Sequence, residues 1–277
     1  MRNGVRLFVI AMRFGLIEHA RNRFAMLLVA AFVPLFITLV RVAVTDLEVP
    51  FRLRDTGLVL RANGNELAQI SGALTAVCLI IGFMMFAATF SSGAFDRRLS
   101  MAGYPRVALA LAKIACLVVA SVLMCAYATA VICCYWSPRQ PVLLAAALCC
   151  AAMTYGGLGV ALGAVLRREV EGMFALAMLA CVDMAVQNPI ASAGADSDFV
   201  RWLPSYGAMQ AATAAGFSDT TPFTGFAMQL GWLTVSALLG LVAFHLCTRS
   251  SLRPTKWSRL PGPRLSASTR SARSAKH

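Results

Sequence analysis

The sequence predicts an all-α integral membrane protein with six transmembrane helices, preceded by an N-terminal amphipathic helix at the membrane interface. Three observations carry this prediction. Of 277 residues, 59% are apolar and 13% charged, against about 45–50% and ~25% in a soluble globular domain. Six stretches are long and apolar enough to cross ~30 Å of hydrocarbon. The basic residues are distributed unevenly between those stretches, as the orientation of a membrane protein requires.

Residues 1–23 come first. At about 100° per residue, Arg2, Arg6 and Arg13 share a narrow stripe, and Leu7, Phe8, Ile10, Phe14 and Ile17 cover much of the rest. Such a helix lies in the interface plane. Arg13 interrupts the apolar run and no small-residue cleavage site follows, so the segment does not read as a signal peptide.

The predicted spans are 24–44, 69–90, 107–136, 142–166, 173–190 and 226–248. Pro34 falls inside the first, which a membrane helix tolerates when a neighbour satisfies the carbonyl that proline frees. Residues 24–249 form one transmembrane domain, and the Ser/Arg/Pro-rich residues 250–277, without an acidic residue, read as a disordered basic tail. Six spans put both termini on one side. With that side cytoplasmic, the inner segments hold 19 basic residues and the outer loops six, so both ends are expected in the cytoplasm. The net charge of +13 is then largely a topology signal and calls for no nucleic-acid partner. Attraction of the tail to anionic membrane lipids is a further expectation.

All nine cysteines lie in apolar segments without a C-x-x-C pair, which argues for helix packing over disulfides or zinc. No phosphate loop, H-E-x-x-H or G-x-S-x-G is present. An enzyme is not expected, nor any cofactor or metal held by this chain. Gly156, Gly157, Gly159 and Gly163 in the fourth span read as a close-packing face.

Asp183 is the acid set deepest in a predicted span, followed by Gln187, Asn188 and Pro189. A charge at membrane depth costs about 2.5–3.5 kcal/mol on the insertion scale, so it faces a partner or a wet cavity. Two readings stand for it: a position on a transport path, or a buried interhelical hydrogen bond, which the nearby helix end favours. Phe83, Met84, Met85 and Phe86 on the second span read either as an adaptable apolar wall or as ordinary packing residues.

Between the second and third spans stands Phe95-Asp96-Arg97-Arg98-Leu99, then Gly103-Tyr104-Pro105-Arg106 and a helix carrying Lys113. This reads as a short charged turn followed by a brief helix docked at the membrane. Here the sequence resembles the permease subunits of type-2 ABC exporters, in which an acid–Arg cluster after the second span precedes a Leu-rich stretch, a Pro and a helix with a Lys. Asp96, Arg97, Arg98, Leu99, Pro105 and Lys113 occupy those places. The resemblance extends over almost the whole chain, including the loop from Arg167 to Gly172 and the stretch Trp202-Leu203-Pro204-Ser205-Tyr206 before the last span. Where many relatives have Glu-Arg or Glu-x-Gly, this chain has Asp-Arg-Arg.

The resemblance implies a re-entrant outer segment before the last span. It implies a separate ATPase subunit that binds the ATP, a second permease forming a homo- or heterodimer, and export of a hydrophobic or amphipathic cargo (drug or natural product) across the bacterial cell membrane. It assigns Asp96, Arg97, Arg98, Leu99 and Pro105 to an ATPase-coupling loop. Asp183, Gln187, Phe83, Met84 and Phe86 then become candidates for the transport path. The alternative is a polytopic membrane protein not driven by ATP, either a secondary transporter or an assembly scaffold. A proton-coupled transporter usually shows several intramembrane acids and inverted repeats, and neither is evident.

Overall fold

The structure is a computed structural model that describes residues 2–21, 23–53, 57, 59–187 and 198–249. The predicted tail and the pair Asn188–Pro189 lie outside these residues. In chain order, α1 is Arg2–Arg21, α2 Arg23–Ala43, β1 Glu48–Arg52, β2 Val59–Asn63 and α3 Gly64–Met101. There follow α4 Arg106–Cys133, α5 Pro141–Val165, α6 Glu169–Gln187, a 3-10 turn Asp198–Trp202, α7 Tyr206–Phe217 and α8 Phe223–Arg249.

Four of these helices, α3, α4, α5 and α8, are long and apolar enough to cross a membrane, and α2 adds the shorter apolar stretch Val29–Ala43. Their outward faces are apolar too: Val122 and Leu123 of α4 and Leu238 and Val242 of α8 are exposed. A water-soluble bundle would carry polar residues there. The chain is a helical multi-pass membrane protein.

The helical fold class expected from the sequence holds, with one small addition and one correction. The addition is a hairpin, in which β1 and β2 pair antiparallel with Glu48 opposite Asn63 and Phe51 opposite Leu60. Phe51 and Ala62 are buried while Arg52 and Arg61 are exposed, the alternation of a half-buried hairpin. The correction is that the stretch from Asp96 to Leu99 is not a turn, since α3 runs unbroken through it to Met101. No proline interrupts residues 64–101, and Gly93 alone is too weak a breaker, at about 1 kcal/mol relative to Ala. The helix stops at Gly103, whose φ of +88° lies in the left-handed region. There Tyr104 N–H donates to Leu99 C=O at 3.0 Å and Gly103 N–H to Ser100 C=O at 3.4 Å, a Schellman closure. Pro105 then stands at the N-cap of α4 with extended backbone.

Central to the bundle is α5, whose most extensive contact is with α3, followed by α8. Its glycines explain this. A Cβ on Gly163 would stand 2.7 Å from Phe86 O of α3, one on Gly157 2.8 Å from Ser236 Oγ of α8, and one on Gly159 would collide with Gly82 O. Small residues let the backbones approach closely. The proline in α2 is accommodated as well. Pro34 has no N–H to offer Ala30 C=O, and Tyr127 of α4 donates its hydroxyl to that oxygen at 2.9 Å. At the far end of α2, the Asn65 side-chain amide donates to Arg41 C=O at 2.7 Å and Val44 C=O at 2.6 Å. Asn63 caps the start of α3 by accepting from Asn65 N–H at 2.9 Å.

Gly159→Ala is expected to lower the melting temperature of the detergent-solubilised protein, at a cost of ~1–3 kcal/mol for overpacking. Gly231→Ala, where a Cβ meets nothing within 4 Å, should leave it unchanged or raise it slightly. Equal melting of the two variants in a thermal-unfolding series would contradict the close α3–α5 approach.

Candidate functional site

Two acidic side chains are buried among the described residues, Asp183 at 1% exposure and Asp96 at 6%, and each organises a separate polar cluster. Around Asp183, α5, α6 and α7 converge. Tyr155 of α5 donates its hydroxyl to Asp183 Oδ2. Gln187, one helical turn along α6, donates Nε2–H to Oδ1 and to Ser205 Oγ at 2.9 Å. The backbone N–H of Ser205 donates to Oδ2 at 3.1 Å. Both carboxylate oxygens are therefore engaged.

These contacts matter because α7 is a 12-residue helix buried along almost its whole length. A helix leaves orphan N–H groups at its start and orphan C=O groups at its end. Buried ends must find partners in protein. At the start, Ser205 N–H meets Asp183, and Ala208 N–H donates to Gln229 Oε1 of α8 at 3.0 Å. Gln229 in turn donates Nε2–H to Thr154 Oγ1 of α5 at 2.9 Å. At the end, the backbone N–H groups of Arg139 and Gln140, just before α5, donate to Gly216 C=O at 3.1 Å and Ala215 C=O at 2.9 Å. The Asp183 carboxyl thus stands at the N-terminal end of α7, where the helix dipole favours an acceptor.

The second cluster lies where α3 ends. Lys113 Nζ of α4 stands 2.9 Å from Asp96 Oδ2 of α3. Ser92 bridges them, donating its hydroxyl to Asp96 Oδ2 at 3.1 Å and accepting from Lys113 Nζ at 2.6 Å. Lys113 also lies 5.8 Å from the centroid of the Phe244 ring on α8, within reach of a cation–π contact. The same corner holds α1. Tyr104 donates its hydroxyl to Leu7 C=O at 2.7 Å, and the Cys116 thiol lies 3.6 Å from Met12 C=O. A Cβ on Gly15 would stand 2.9 Å from that thiol, so glycine lets α1 seat against α4.

The residues predicted for a site divide between these clusters. Asp96 is buried in its ion pair, whereas Arg97, Arg98 and Pro105 are exposed and Leu99 is half-buried beside them. Asp183 and Gln187 come together, as their spacing of four on one helix allows, but their polar atoms are turned to Tyr155 and Ser205. Tyr155 and Ser205 belong to other elements, so these hydrogen bonds tie α6 to α5 and to the start of α7. Phe86 is a core residue, stacked on Phe90 with centroids 5.8 Å apart. Phe83 and Met84 are half-buried against the core.

Sequence reasoning missed Tyr155, Thr154 and Gln229. Gln229 carried a signal: an amide side chain near the start of an apolar span needs a partner there. Compared with protein-family models and with curated proteins, the chain matches none.

Asp183→Leu is expected to destabilise the protein strongly, because three donors lose their acceptor at ~1–3 kcal/mol each. Asp183→Asn should cost less. Among the described residues Gln187 Oε1 is buried without a hydrogen-bond partner, so the amide can turn and accept from the new side chain. Thermal unfolding in micelles orders wild type, Asn and Leu. Equal melting of the Asn and Leu variants would refute the role given to the carboxylate oxygens.

Proposed function

We propose that the chain is the transmembrane permease subunit of an ATP-driven exporter in the bacterial cell membrane. In this reading a separate ATPase subunit binds the nucleotide, two permeases form the working unit, and the cargo is hydrophobic or amphipathic. The spans are α2, α3, α4, α5, α6 and α8, both termini are cytoplasmic, α1 lies in the cytoplasmic interface, and α7 belongs to a re-entrant segment on the outer side.

The single observation that carries the reading is the fastening of α1, the end of α3 and the start of α4 into one unit. The Asp96–Lys113 pair joins α3 to α4, and the Tyr104 hydroxyl joins their turn to α1. Both long helices continue from that unit through the bundle. A push on the unit is thereby transmitted to the spans, which is what a motor subunit needs from its permease. Arg97, Arg98, Phe95 and Met101 are exposed around it and supply a cationic and apolar face for a partner. The buried α7, with partners at both ends, supports the re-entrant assignment, since irregular backbone and short helices at membrane depth are tolerated where protein satisfies them. The positive-inside count orients the unit toward the cytoplasm.

The test reconstitutes the chain in vesicles with the proposed ATPase subunit, and follows ATP hydrolysis and cargo uptake into inverted vesicles. Replacing Arg97 and Arg98 together with Ala should leave insertion intact by cysteine accessibility. Stimulation of the ATPase should fall by roughly tenfold, ~1.4 kcal/mol of lost coupling. Normal stimulation in a correctly inserted double variant would overturn the assignment of this face, and ATP-independent transport would overturn the motor.

A further inference from the structure

A cavity of about 410 Å³ lies between α1, α3 and α4, in the size range of small-molecule sites. It runs from Phe14 and Glu18, which are exposed on α1, to Thr89 and Asp96, which are buried on α3. Met85, Leu109 and Cys116 give it apolar walls. Its floor is polar and incompletely matched. Both contacts to Asp96 fall on Oδ2, and among the described residues Oδ1 takes no hydrogen bond. Thr89, 3% exposed, has a hydroxyl with no hydrogen-bond partner among the described residues. Buried polar atoms are ordinarily satisfied; the Thr89 hydroxyl is not, and Asp96, its Oδ1 free to accept, lines the same cavity.

The charge of the lining indicates which group. Asp96 and Glu18 supply two carboxylates against the single ammonium of Lys113. His19, also in the lining, is pushed below the usual histidine value by burial, with Glu18 opposing and Lys113 reinforcing the shift. It therefore adds no cation at neutral pH, and the lining retains a negative excess. An ammonium here would share the Asp96 carboxylate with Lys113, hydrogen-bonding its free Oδ1, and would face Glu18 at the open end of the cavity. A carboxylate would meet Asp96 and Glu18 unpaired.

We propose that this cavity is a binding site for an amphiphilic primary amine, its ammonium at Asp96 and its alkyl chain leading out past Met85 and Phe14. The site goes beyond the export reading. It lies within one chain and needs no ATPase, so binding and export can fail separately.

The test uses the full-length chain in phosphatidylcholine nanodiscs and radiolabelled n-decylamine, with empty nanodiscs as the reference and n-decanoate as the matched anion. Saturable binding of one decylamine per chain above the empty-disc level is expected, with decanoate at least tenfold weaker. Ala88 and Ala11 line the cavity without taking part in the ion pair. Ala88→Leu or Ala11→Leu, in whichever variant keeps the wild-type melting temperature, should weaken decylamine binding at least tenfold by filling the space. Asp96→Asn should do the same where it folds. Uptake no greater than that of empty discs, equal binding of decanoate, or undiminished binding in a folded cavity-filling variant would overturn the proposal.

Discussion

In hydrocarbon a polar atom cannot fall back on water, so every backbone or side-chain group taken into an apolar bundle must be matched from within the protein. The architecture follows from this constraint at each irregular point. Pro34 strands the carbonyl of Ala30, and Tyr127 reaches across from α4 to take it. The end of α2 is closed by Asn65. A helix as short as α7 could not lie buried without the Asp183 carboxylate and Gln229 at one end and two amides of the α4–α5 connection at the other. Close glycine-mediated packing of α5 on α3 and α8 brings Tyr155 and Thr154 to the place where those partners are needed.

The same constraint gives the other buried acid its meaning. Asp96 on α3 is matched to Lys113 on α4, one of the pair's two links being direct and the other through Ser92. Breaking a buried pair by removing one partner typically costs ~3–5 kcal/mol, because the remaining charge is left uncompensated. The pair therefore fixes the angle at which α4 leaves the Gly103–Pro105 turn. That angle in turn sets the seat of α1, through Tyr104 and Cys116. The proposed coupling and the proposed amine site both belong to this corner, and both depend on the pair holding it in shape.

Much of this was legible in the sequence. Composition and the length of apolar runs identify a multi-pass helical protein, and the glycines from 156 to 163 mark the close-packing helix. The spacing of Asp183 and Gln187 puts them together. The hairpin at 48–63 was not legible, because its strands are five residues each and half polar, which periodicity cannot separate from loop. The run from Asp96 to Leu99 was misread as a turn because charge marks the edge of an apolar span, while the helix itself ends where Gly103 and Pro105 end it. Tyr155 and Gln229 lay hidden for a different reason. Their roles depend on α7 passing between α5 and α8, and nothing local to either residue specifies that contact.

The dependence of the α3–α4 corner on its ion pair is open to direct measurement. A double-mutant cycle would compare the unfolding free energies, in micelles, of wild type, Asp96→Asn, Lys113→Gln and the double variant. A structural pair predicts that each single variant is strongly destabilised, and that the double variant is no worse than the worse single one. That corresponds to a coupling energy at least as large as the smaller single loss, ~3 kcal/mol for a buried pair. Strictly additive losses would contradict it, and α1, α3 and α4 would then owe their arrangement to something other than the meeting of Asp96 and Lys113.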